Sequence, residues 1–498
     1  MGTTAEAEIQ AGGRDRAVAR VTFLWLATGG TLLVVLALAG LLLRITQGFG
    51  LLSPRWFYAF LTLHGTGMVG VALTTIAAAY WYVMSKALPL SPKVMFVVYL
   101  LTLVGALWIV AATLIGRFGT GWTFLYPLPS TPGPVPGWSG WAAAVFLVGL
   151  ALVVVAFALW SLDFLRAGIV RFGGLGRMLG LDIVSGKRSA GPDTTDPSII
   201  AGTVVAIGGV AAAVPGAVIV GLELANLAAP SFTFSALLAK NLIFFAGHML
   251  VNVQIYLGAG LVYAILPEYA KRPWKASRVL VIAWLVTALF VMLAFFHHLY
   301  QDFAQPDALQ VVGNVASFGV GFPPIVVTIF GGVLLVFRSG IRWTAAPIFL
   351  YAGLAGWAIG GFAAEIDASP GVNQYLHNTL WVPAHFHTYM ALGVVLFILG
   401  AVYHIVPRLT GKGLSETLGR AAAWPIILGG WGLVAAWYAS GVDSLPRRYA
   451  ISLPGFQYMA KIGSVFAAIV AVGVLVVFWD FARILTGRGL GARAAPNR

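Results

Sequence analysis

The sequence contains no cysteine, and only 9% of its 498 residues are charged. The absence of cysteine excludes disulfide bonds, thiolate nucleophiles, iron–sulfur clusters and thiolate-bound copper. Any metal in this chain must therefore be held by histidine, methionine or oxygen ligands. The scarcity of charge, together with 60% hydrophobic residues and a mean hydropathy of +0.91, excludes a water-soluble globular domain. The composition predicts an all-α polytopic membrane protein.

Apolar stretches of about 20 residues, the length that crosses the hydrocarbon core as a helix, recur along the whole chain. We expect about twelve transmembrane helices in a single domain at residues 19–485, between tails at 1–18 and 486–498. The first span follows a basic tail without a small-residue cleavage site, so we do not interpret it as a removable signal peptide. The predicted spans are 19–43, 57–85, 93–116, 141–166, 200–228, 241–267, 278–300, 310–337, 343–364, 378–407, 420–441 and 457–485.

The net charge of +14 comes mostly from basic residues in alternate loops, with few in the loops between them. Because Lys and Arg concentrate on the cytoplasmic side of membrane proteins, this asymmetry predicts cytoplasmic N- and C-termini. We therefore expect a multi-pass protein of the cell (cytoplasmic) membrane. The basic loops are interpreted as topology signals and lipid contacts, and nucleic acid is not an expected partner.

Seven of the eight histidines fall near the predicted outer ends of their helices, although chance would scatter them over both leaflets. Ionisable side chains within a membrane mark functional sites by default, and imidazole ligates copper, iron and haem. The set suffices for one small metal ion and for axial ligands of two haems. His404, at an inner helix end, is expected at the interface. The seven outer histidines are His64, His248, His297, His298, His377, His385 and His387.

The stretch W-V-P-A-H-F-H-T-Y-M places His385 and His387 two residues apart in one predicted helix. Residues two apart on an α-helix are separated by about 200° of rotation, so the two rings should point to opposite faces. This predicts one helix that serves two metal-containing groups. Arg447 and Arg448 lie on the same outer side, and paired arginines suit carboxylates such as haem propionates.

In order along nearly the whole chain, these motifs resemble subunit I of the heme-copper oxidase superfamily, and specifically its B-type branch. The resemblance rests on L-H-G-T-G-M-V, the G-T-G-W-T…Y-P loop, the histidine of G-H-M-L-V-N, the H-H pair, H-N-T-L-W-V-P-A-H-F-H and P-R-R. It implies low-spin and high-spin haems (b or a type) and one copper ion. The implied roles are low-spin haem ligands for His64 and His387, a high-spin haem ligand for His385, copper ligands for His248, His297 and His298, and propionate partners for His377, Arg447 and Arg448.

One departure from the family pattern bears on the substrate. In the A and B branches the position four after the first copper-ligand histidine is a cross-linked tyrosine that helps to break the O–O bond, and here it is Asn252. The C-type branch supplies that tyrosine two residues before the H-H pair, where this chain has Phe295. Tyr256 is not expected to replace it, because eight residues of helix span about 12 Å.

Three functions remain open. Reduction of nitric oxide to nitrous oxide is favoured, since it takes two electrons and needs no tyrosyl radical. Reduction of dioxygen to water, as in a B-type cytochrome c oxidase, is the alternative. A twelve-helix transporter with histidine proton relays is a third, which predicts paired halves that the sequence lacks. Three imidazoles without a carboxylate suit copper better than non-haem iron.

The candidate proton route is expected to begin on the outer side. B-type oxidases resemble one another in having a ladder of polar side chains. In this sequence Tyr263 of that ladder is kept, but Pro324 and Val327 stand at two positions where the family has Ser and Thr. The outer acidic groups offered instead are Glu223, Glu365 and Asp367.

A partner must deliver electrons, because a chain without cysteine carries neither a copper–thiolate centre nor a c-type haem attachment. We expect a subunit II-like protein with an outer domain. Cytochrome c, a cupredoxin or quinol stays open as the donor, and the active site is expected toward the outer side.

Overall fold

The computed structural model describes residues 2–130, 137–187, 195–486 and 490–491, and most of them are helical. A two-residue antiparallel pair, β1 (Lys412–Gly413) with β2 (Leu490–Gly491), is the one sheet in these ranges. The helices are α1 Gly2–Phe49, α2 Pro54–Met84, α3 Pro92–Val110, α4 Gly140–Phe172, α5 Leu175–Met178, α6 Leu181–Val184, α7 Pro197–Ala228, α8 Ala236–Ala270, α9 Arg278–Phe290, α10 Ala308–Val336, α11 Ala345–Asp367, α12 Pro370–Leu376, α13 Trp381–Tyr389, α14 Leu396–Thr410, α15 Glu416–Val442 and α16 Gln457–Leu485.

Eleven helical stretches in the described ranges are long and apolar enough to cross a membrane, and α9 is a shorter apolar helix. Together they correspond to the twelve predicted spans, which confirms an all-α polytopic membrane protein. The first helix is longer than the predicted span 19–43, because helix α1 already begins at Gly2. Most of the predicted tail 486–498 lies outside the described residues.

Helix starts follow from local chemistry. The first N–H groups of a helix lack partners within the helix and take them from a capping side chain. The hydroxyls of Ser235, Ser277 and Ser415 accept such bonds at the starts of α8, α9 and α15. Proline, which has no N–H to satisfy, stands at the first position of α2, α3 and α7.

Three of the predicted spans are not continuous α-helices. The span 93–116 is α-helical to Val110 and ends in a π-helical segment, Ala111–Ile115. The span 278–300 ends as α-helix at Phe290 and tightens to a 3₁₀ turn over Ala294–Leu299, which carries the histidine pair. The span 378–407 contains a π-helical segment, Met390–Val395, between α13 and α14. Such single-turn π segments are frequent at functional sites. A hydropathy profile does not detect these segments, because they change the backbone hydrogen-bonding pattern without changing the polarity of the residues.

The most enclosed parts of the bundle are α8 and the stretch from α13 to α14, whereas α3 and α10 are mostly open on their outer faces. Helix α1 packs against α2 and α16, and α7 packs against α4 and α8. Four of the eight histidines therefore lie on the most enclosed helices, and the apolar faces of α3 and α10 are left for lipid.

Candidate metal centre

One cavity of about 370 Å³ lies at the centre of the bundle, and all seven outer histidines line it. They come from α2, α8, the 3₁₀ turn after α9, the residue after α12, and α13. The eighth histidine, His404, is elsewhere: it is 2% exposed, and its Nδ1 lies 3.3 Å from the hydroxyl of Tyr269. His404 is thus packed inside the protein with a hydrogen-bond partner, and the interfacial depth expected for it stays a prediction.

His64 and His387 lie opposite each other at the cavity, with nearly parallel ring planes. Their ring centroids are 6.1 Å apart and the ring planes differ by 10°. Each Nδ1 pairs with a backbone carbonyl, at Leu36 (2.8 Å) and at Pro383 (2.7 Å), so each Nδ1 carries the proton and each Nε2 is free to ligate. The 6.1 Å between the centroids is close to the sum of two metal–nitrogen bonds of about 2 Å each and the distance from each ring centroid to its own Nε2. The pair fits the two axial positions of one haem iron.

His248, His297 and His298 form a second cluster, in which one ligand atom from each lies within 4.8 Å of the others. Ser317 fixes one of these rings, since its hydroxyl lies 3.0 Å from Nδ1 of His297. Three neutral imidazoles suit copper, zinc or iron, and no carboxylate joins this cluster in the described part of the chain. The donor set fits a copper ion.

His385 lies on the copper-cluster side of α13, within electrostatic reach of His248 and His297. His387, two residues on, is paired instead with His64. The opposite orientation expected from helix rotation is thus present. It holds because both residues precede the π segment that begins at Met390.

Arg447 and Arg448 line the cavity beside His377. Two strand-like contacts hold them there, from the backbone N–H of Arg447 to the carbonyl of Asn378 (2.9 Å) and from that of Leu380 to the carbonyl of Leu445 (2.9 Å). Burial, with the charge of Arg448, lowers the pKa of Arg447 to about 10, and its Nε has no partner among the described residues. A cation with unused donors facing the cavity fits a carboxylate of a bound group.

Asn252 lies one helical turn after His248 and contacts it twice. Its Nδ2 is 2.8 Å from the carbonyl oxygen and 3.2 Å from the ring Nε2 of His248. Tyr256 reaches back along α8, and its hydroxyl lies 3.4 Å from Oδ1 of Asn252. Tyr256 itself makes neither a hydrogen bond nor a ring contact with His248 in the described part of the chain: the Asn252 amide lies between them, and the tyrosine reaches that amide because side chains on a helix lean toward its N-terminus. Phe295 is 7% exposed and packs on Phe245 and Phe296.

The predicted proton-route residues occupy different places. Glu365 lines the cavity, and its Oε2 is buried without a partner. Asp367 is buried near Arg447. Glu223 is fully buried with both oxygens unpartnered, yet it does not line this cavity. Tyr263 is 2.5 Å from the hydroxyl of Thr328, away from the cavity wall.

Three lining residues were not predicted from the sequence. Arg44 is 2% exposed on α1 and lies over the ring of Trp437, 5.4 Å from its centroid. Trp437 also packs on His387, with ring centroids 4.5 Å apart. Trp122, from the G-T-G-W-T loop, stacks near Phe386. The sequence signal for Arg44 was an arginine directly after the apolar span predicted at 19–43.

Residues 20–476 match the sequence profile of cytochrome c and quinol oxidase polypeptide I. The chain is 28% identical over 263 residues to cytochrome c oxidase subunit 1 of Thermus thermophilus, which covers 49% of this chain but only 47% of that protein. It is 25% identical over 456 residues to the alternative cytochrome c oxidase subunit 1 of Bradyrhizobium diazoefficiens, covering 85% of this chain and 73% of the relative. A chain of a heme-copper terminal oxidase dimer shares the fold, with a TM-score of 0.79, 21% identity, and coverage of 97% of this chain and 85% of that one.

Proposed function

We propose that this chain, a member of the cytochrome c and quinol oxidase polypeptide I family, reduces nitric oxide to nitrous oxide. That family is subunit I of heme-copper oxidoreductases. The observation that carries the proposal is Asn252, whose neutral amide contacts His248 at the family's tyrosine position. Two NO molecules take up two electrons and two protons and give one nitrous oxide and one water, without a radical donor. The reaction therefore does not require the tyrosine that Asn252 replaces.

The proposed cofactors are two haems of b or a type and one copper ion. His64 and His387 would hold a low-spin haem, His385 a high-spin haem, and Arg447, Arg448 and His377 the propionates. His248, His297 and His298 would hold the copper. When bound, these groups supply electron transfer and the reduction of the gas. The chain's own contribution is to hold each ring in one tautomer, as the carbonyls of Leu36 and Pro383 do for the low-spin pair.

Reduction of dioxygen to water is the second candidate, and Tyr256 is the observation that favours it. Its hydroxyl is hydrogen-bonded to the amide that contacts His248. A phenol joined to a copper ligand through one side chain stands near enough to supply an electron and a proton. The amide between them cannot form the cross-link of the family's tyrosine, which is why we prefer the two-electron reaction.

We propose that protons reach the site from the outer side through Glu365. Glu365 lines the cavity and has one carboxyl oxygen without a partner, and carboxyl groups serve as proton carriers when they lie within reach of the reacting groups. The opposite route is interrupted: the polar pair Tyr263 and Thr328 is separated from Ser317 by 11 residues of α10, about 16 Å of helix. Turnover would then conserve little energy.

Proton uptake can be measured in vesicles that contain the enzyme in one orientation and a pH dye in the lumen. Uptake of the chemical protons from the outer side supports the route through Glu365. Uptake from the cytoplasmic side would overturn it, whichever gas is reduced.

The protein is a multi-pass membrane protein, and we propose its placement in the cytoplasmic membrane with both termini inside and the metal centre toward the outer side. The electron donor is proposed to be a subunit II-like protein with an outer domain, itself reduced by cytochrome c, a cupredoxin or quinol. The absence of cysteine supports this, since the chain cannot bind copper through thiolate or attach a c-type haem.

The proposed reaction is tested by measuring loss of NO, formation of nitrous oxide and loss of dioxygen by the purified enzyme with an artificial electron donor. We expect one nitrous oxide for every two NO consumed, and slower consumption of dioxygen. A His297→Ala variant is the control, because it removes a copper ligand and should abolish both activities while leaving the low-spin haem. Rapid dioxygen reduction with negligible NO turnover refutes the proposal and selects the oxidase.

A further inference from the structure

We propose that four aromatic side chains form a relay that carries oxidising equivalents from the metal centre to the far end of α8, one electron at a time. The relay consists of Tyr256, Trp284, Tyr263 and Trp274. Its task is protective: an oxidant that peroxide or dioxygen generates at the site is reduced through the relay instead of attacking the histidine ligands. The inference rests on the haem and copper site proposed above, but not on the gas that is reduced there.

Each member of the relay is in ring contact with the next. Tyr256 lines the cavity, and its ring centroid lies 5.3 Å from that of Trp284, with the two planes at 90°. The centroid of Trp284 lies 6.2 Å from that of Tyr263, whose own centroid lies 4.8 Å from that of Trp274. Aromatic pairs in direct contact have centroids about 4.5–7 Å apart. An electron therefore crosses only contacts between neighbouring rings.

The spacing along α8 explains how one tryptophan serves two tyrosines. Tyr256 and Tyr263 are seven residues apart, which is about two helical turns, so both lie on one face of α8. Trp284, from α9, packs against both rings. Its Nε1–H also donates a 3.2 Å hydrogen bond to the hydroxyl of Tyr263, which couples these two rings directly.

The relay runs from the buried core to the surface. Trp284 is 0% and Tyr263 is 1% exposed, whereas Trp274 is half-buried in the loop between α8 and α9. Lys271 and Lys275 in the same loop are exposed. A small reductant, above all an anionic one, can approach Trp274 there. The buried members have only each other as electron donors, so the relay has one end at the metal centre and the other at the surface.

The chemistry balances as a series of one-electron transfers. Hydrogen peroxide at the metal centre takes up two electrons and two protons and gives two water molecules. Each electron leaves Tyr256 and is replaced from Trp284, then Tyr263, then Trp274, which a thiol at the surface reduces in turn. Overall, hydrogen peroxide and two thiols give two water molecules and one disulfide, and every ring ends as it began. The chain has no cysteine of its own that could supply these electrons.

A second aromatic cluster shows what packing alone looks like and provides the matched control. Trp160 is 2% exposed and stacks on Phe157 and on Phe164, with centroids 5.5 Å apart in each pair. It does not line the cavity, and no ring contact joins it to the relay in the described part of the chain. Trp160→Phe therefore removes one buried indole and leaves the relay complete.

The test treats purified holoenzyme with hydrogen peroxide, with and without a thiol, and follows the haem absorbance. Oxidised side chains are then mapped by mass spectrometry, and oxidation that persists when cyanide blocks the haem is subtracted. The variants are Trp284→Phe, Trp274→Phe and the control Trp160→Phe. Phenylalanine keeps an aromatic ring in the packing, but it does not give up an electron under these conditions.

We expect the unchanged enzyme and Trp160→Phe to accumulate oxidation at Trp274 and to bleach slowly, and the thiol should slow the bleaching further. In Trp284→Phe the haem-dependent oxidation of Trp274 should be lost. Oxidation should then appear at Tyr256 and the histidines around the cavity, and the haem should bleach several-fold faster whether or not thiol is present.

Equal oxidation of Trp274 in Trp284→Phe and Trp160→Phe overturns the inference. If Trp284→Phe does not assemble its haems, Trp274→Phe decides: faster bleaching than Trp160→Phe in the presence of thiol supports the relay, and equal bleaching overturns it. An enzyme that reduces dioxygen and not NO would refute the proposed reaction and leave this result untouched. A purified protein without haem would refute the proposed cofactors and the relay together.

Discussion

Gly40, on α1, faces the ring of His64, and adding one methyl group there should selectively weaken the low-spin haem site. A Cβ at residue 40 would lie 2.6 Å from Cε1 and 3.0 Å from Nδ1 of His64. Real side chains do not approach that closely, so the ring must move. Moving it breaks the 2.8 Å hydrogen bond from Nδ1 to the carbonyl of Leu36 and disturbs the parallel alignment with His387.

The magnitude follows from two contributions. The lost hydrogen bond costs about 1 kcal/mol, and the steric overlap costs about 1–3 kcal/mol, the usual range for overpacking. At about 1.4 kcal/mol per tenfold, a total of about 2–4 kcal/mol weakens low-spin haem binding roughly 30- to 700-fold. Gly30→Ala is the control, because Gly30 lies on the same helix with nothing within 4 Å of its added Cβ. Both variants gain the same helix propensity, about 1 kcal/mol.

The assay is the ratio of haem to protein together with the reduced-minus-oxidised spectrum of each purified variant. Gly40→Ala should lose the low-spin band while the high-spin haem still binds carbon monoxide, and Gly30→Ala should keep both haems. A Gly40→Ala protein with a full, unshifted low-spin band would refute the assignment of His64 as a ligand.

Two further predictions concern protons. Glu365→Gln should lower NO turnover by roughly 10²-fold, the contribution of a proton-transferring group, with unchanged haem spectra. Glu223→Gln is the control, because it removes a buried carboxyl away from the cavity, and it should change turnover at most a few-fold. Equal effects of the two substitutions would contradict a route through Glu365. Burial, and then the charge of Arg447, lower the pKa of His377 from 6.5 to about 4. The unfolded chain therefore binds this proton more readily, and the free energy of unfolding should fall as the pH drops from 6.5 to about 4. His377→Asn should flatten thermal melting temperatures across that window, and an unchanged pH dependence would contradict a neutral His377.

The membrane spans were predictable because the hydrocarbon thickness imposes a length on any apolar helix. The orientations of His385 and His387 were predictable because two residues of α-helix have a fixed rotation. The 3₁₀ turn at Ala294–Leu299 and the π segment at Met390–Val395 were not. They are changes of backbone hydrogen bonding that depend on which neighbouring helix each turn packs against.

Side-chain reach was the other limit of the sequence. Tyr256 contacts Asn252 because a tyrosine leans one turn toward the N-terminus, which a count of residues does not include. Arg44 lies inside the bundle because α1 continues to Phe49, well past the apolar window that ends at residue 43. Glu223 and Glu365 both lie in apolar stretches of the sequence. The packing of α7 keeps Glu223 away from the cavity, whereas the packing of α11 brings Glu365 to the cavity wall.

The two histidines of α13 are held differently, and the difference matches the two tasks proposed for them. His387 donates from Nδ1 to the carbonyl of Pro383 on its own helix, as its partner His64 does to Leu36 on α1. Both ligands of the proposed electron-transferring haem are therefore fixed by backbone, which keeps their geometry constant when the iron changes charge. The buried Nδ1 of His385 makes no hydrogen bond of good geometry within the described residues, although the Gly360 backbone lies beside it. If His385 holds the proposed high-spin haem, its ring would be free to shift with that group, whereas the ring of His387 would be held in place by the carbonyl of Pro383.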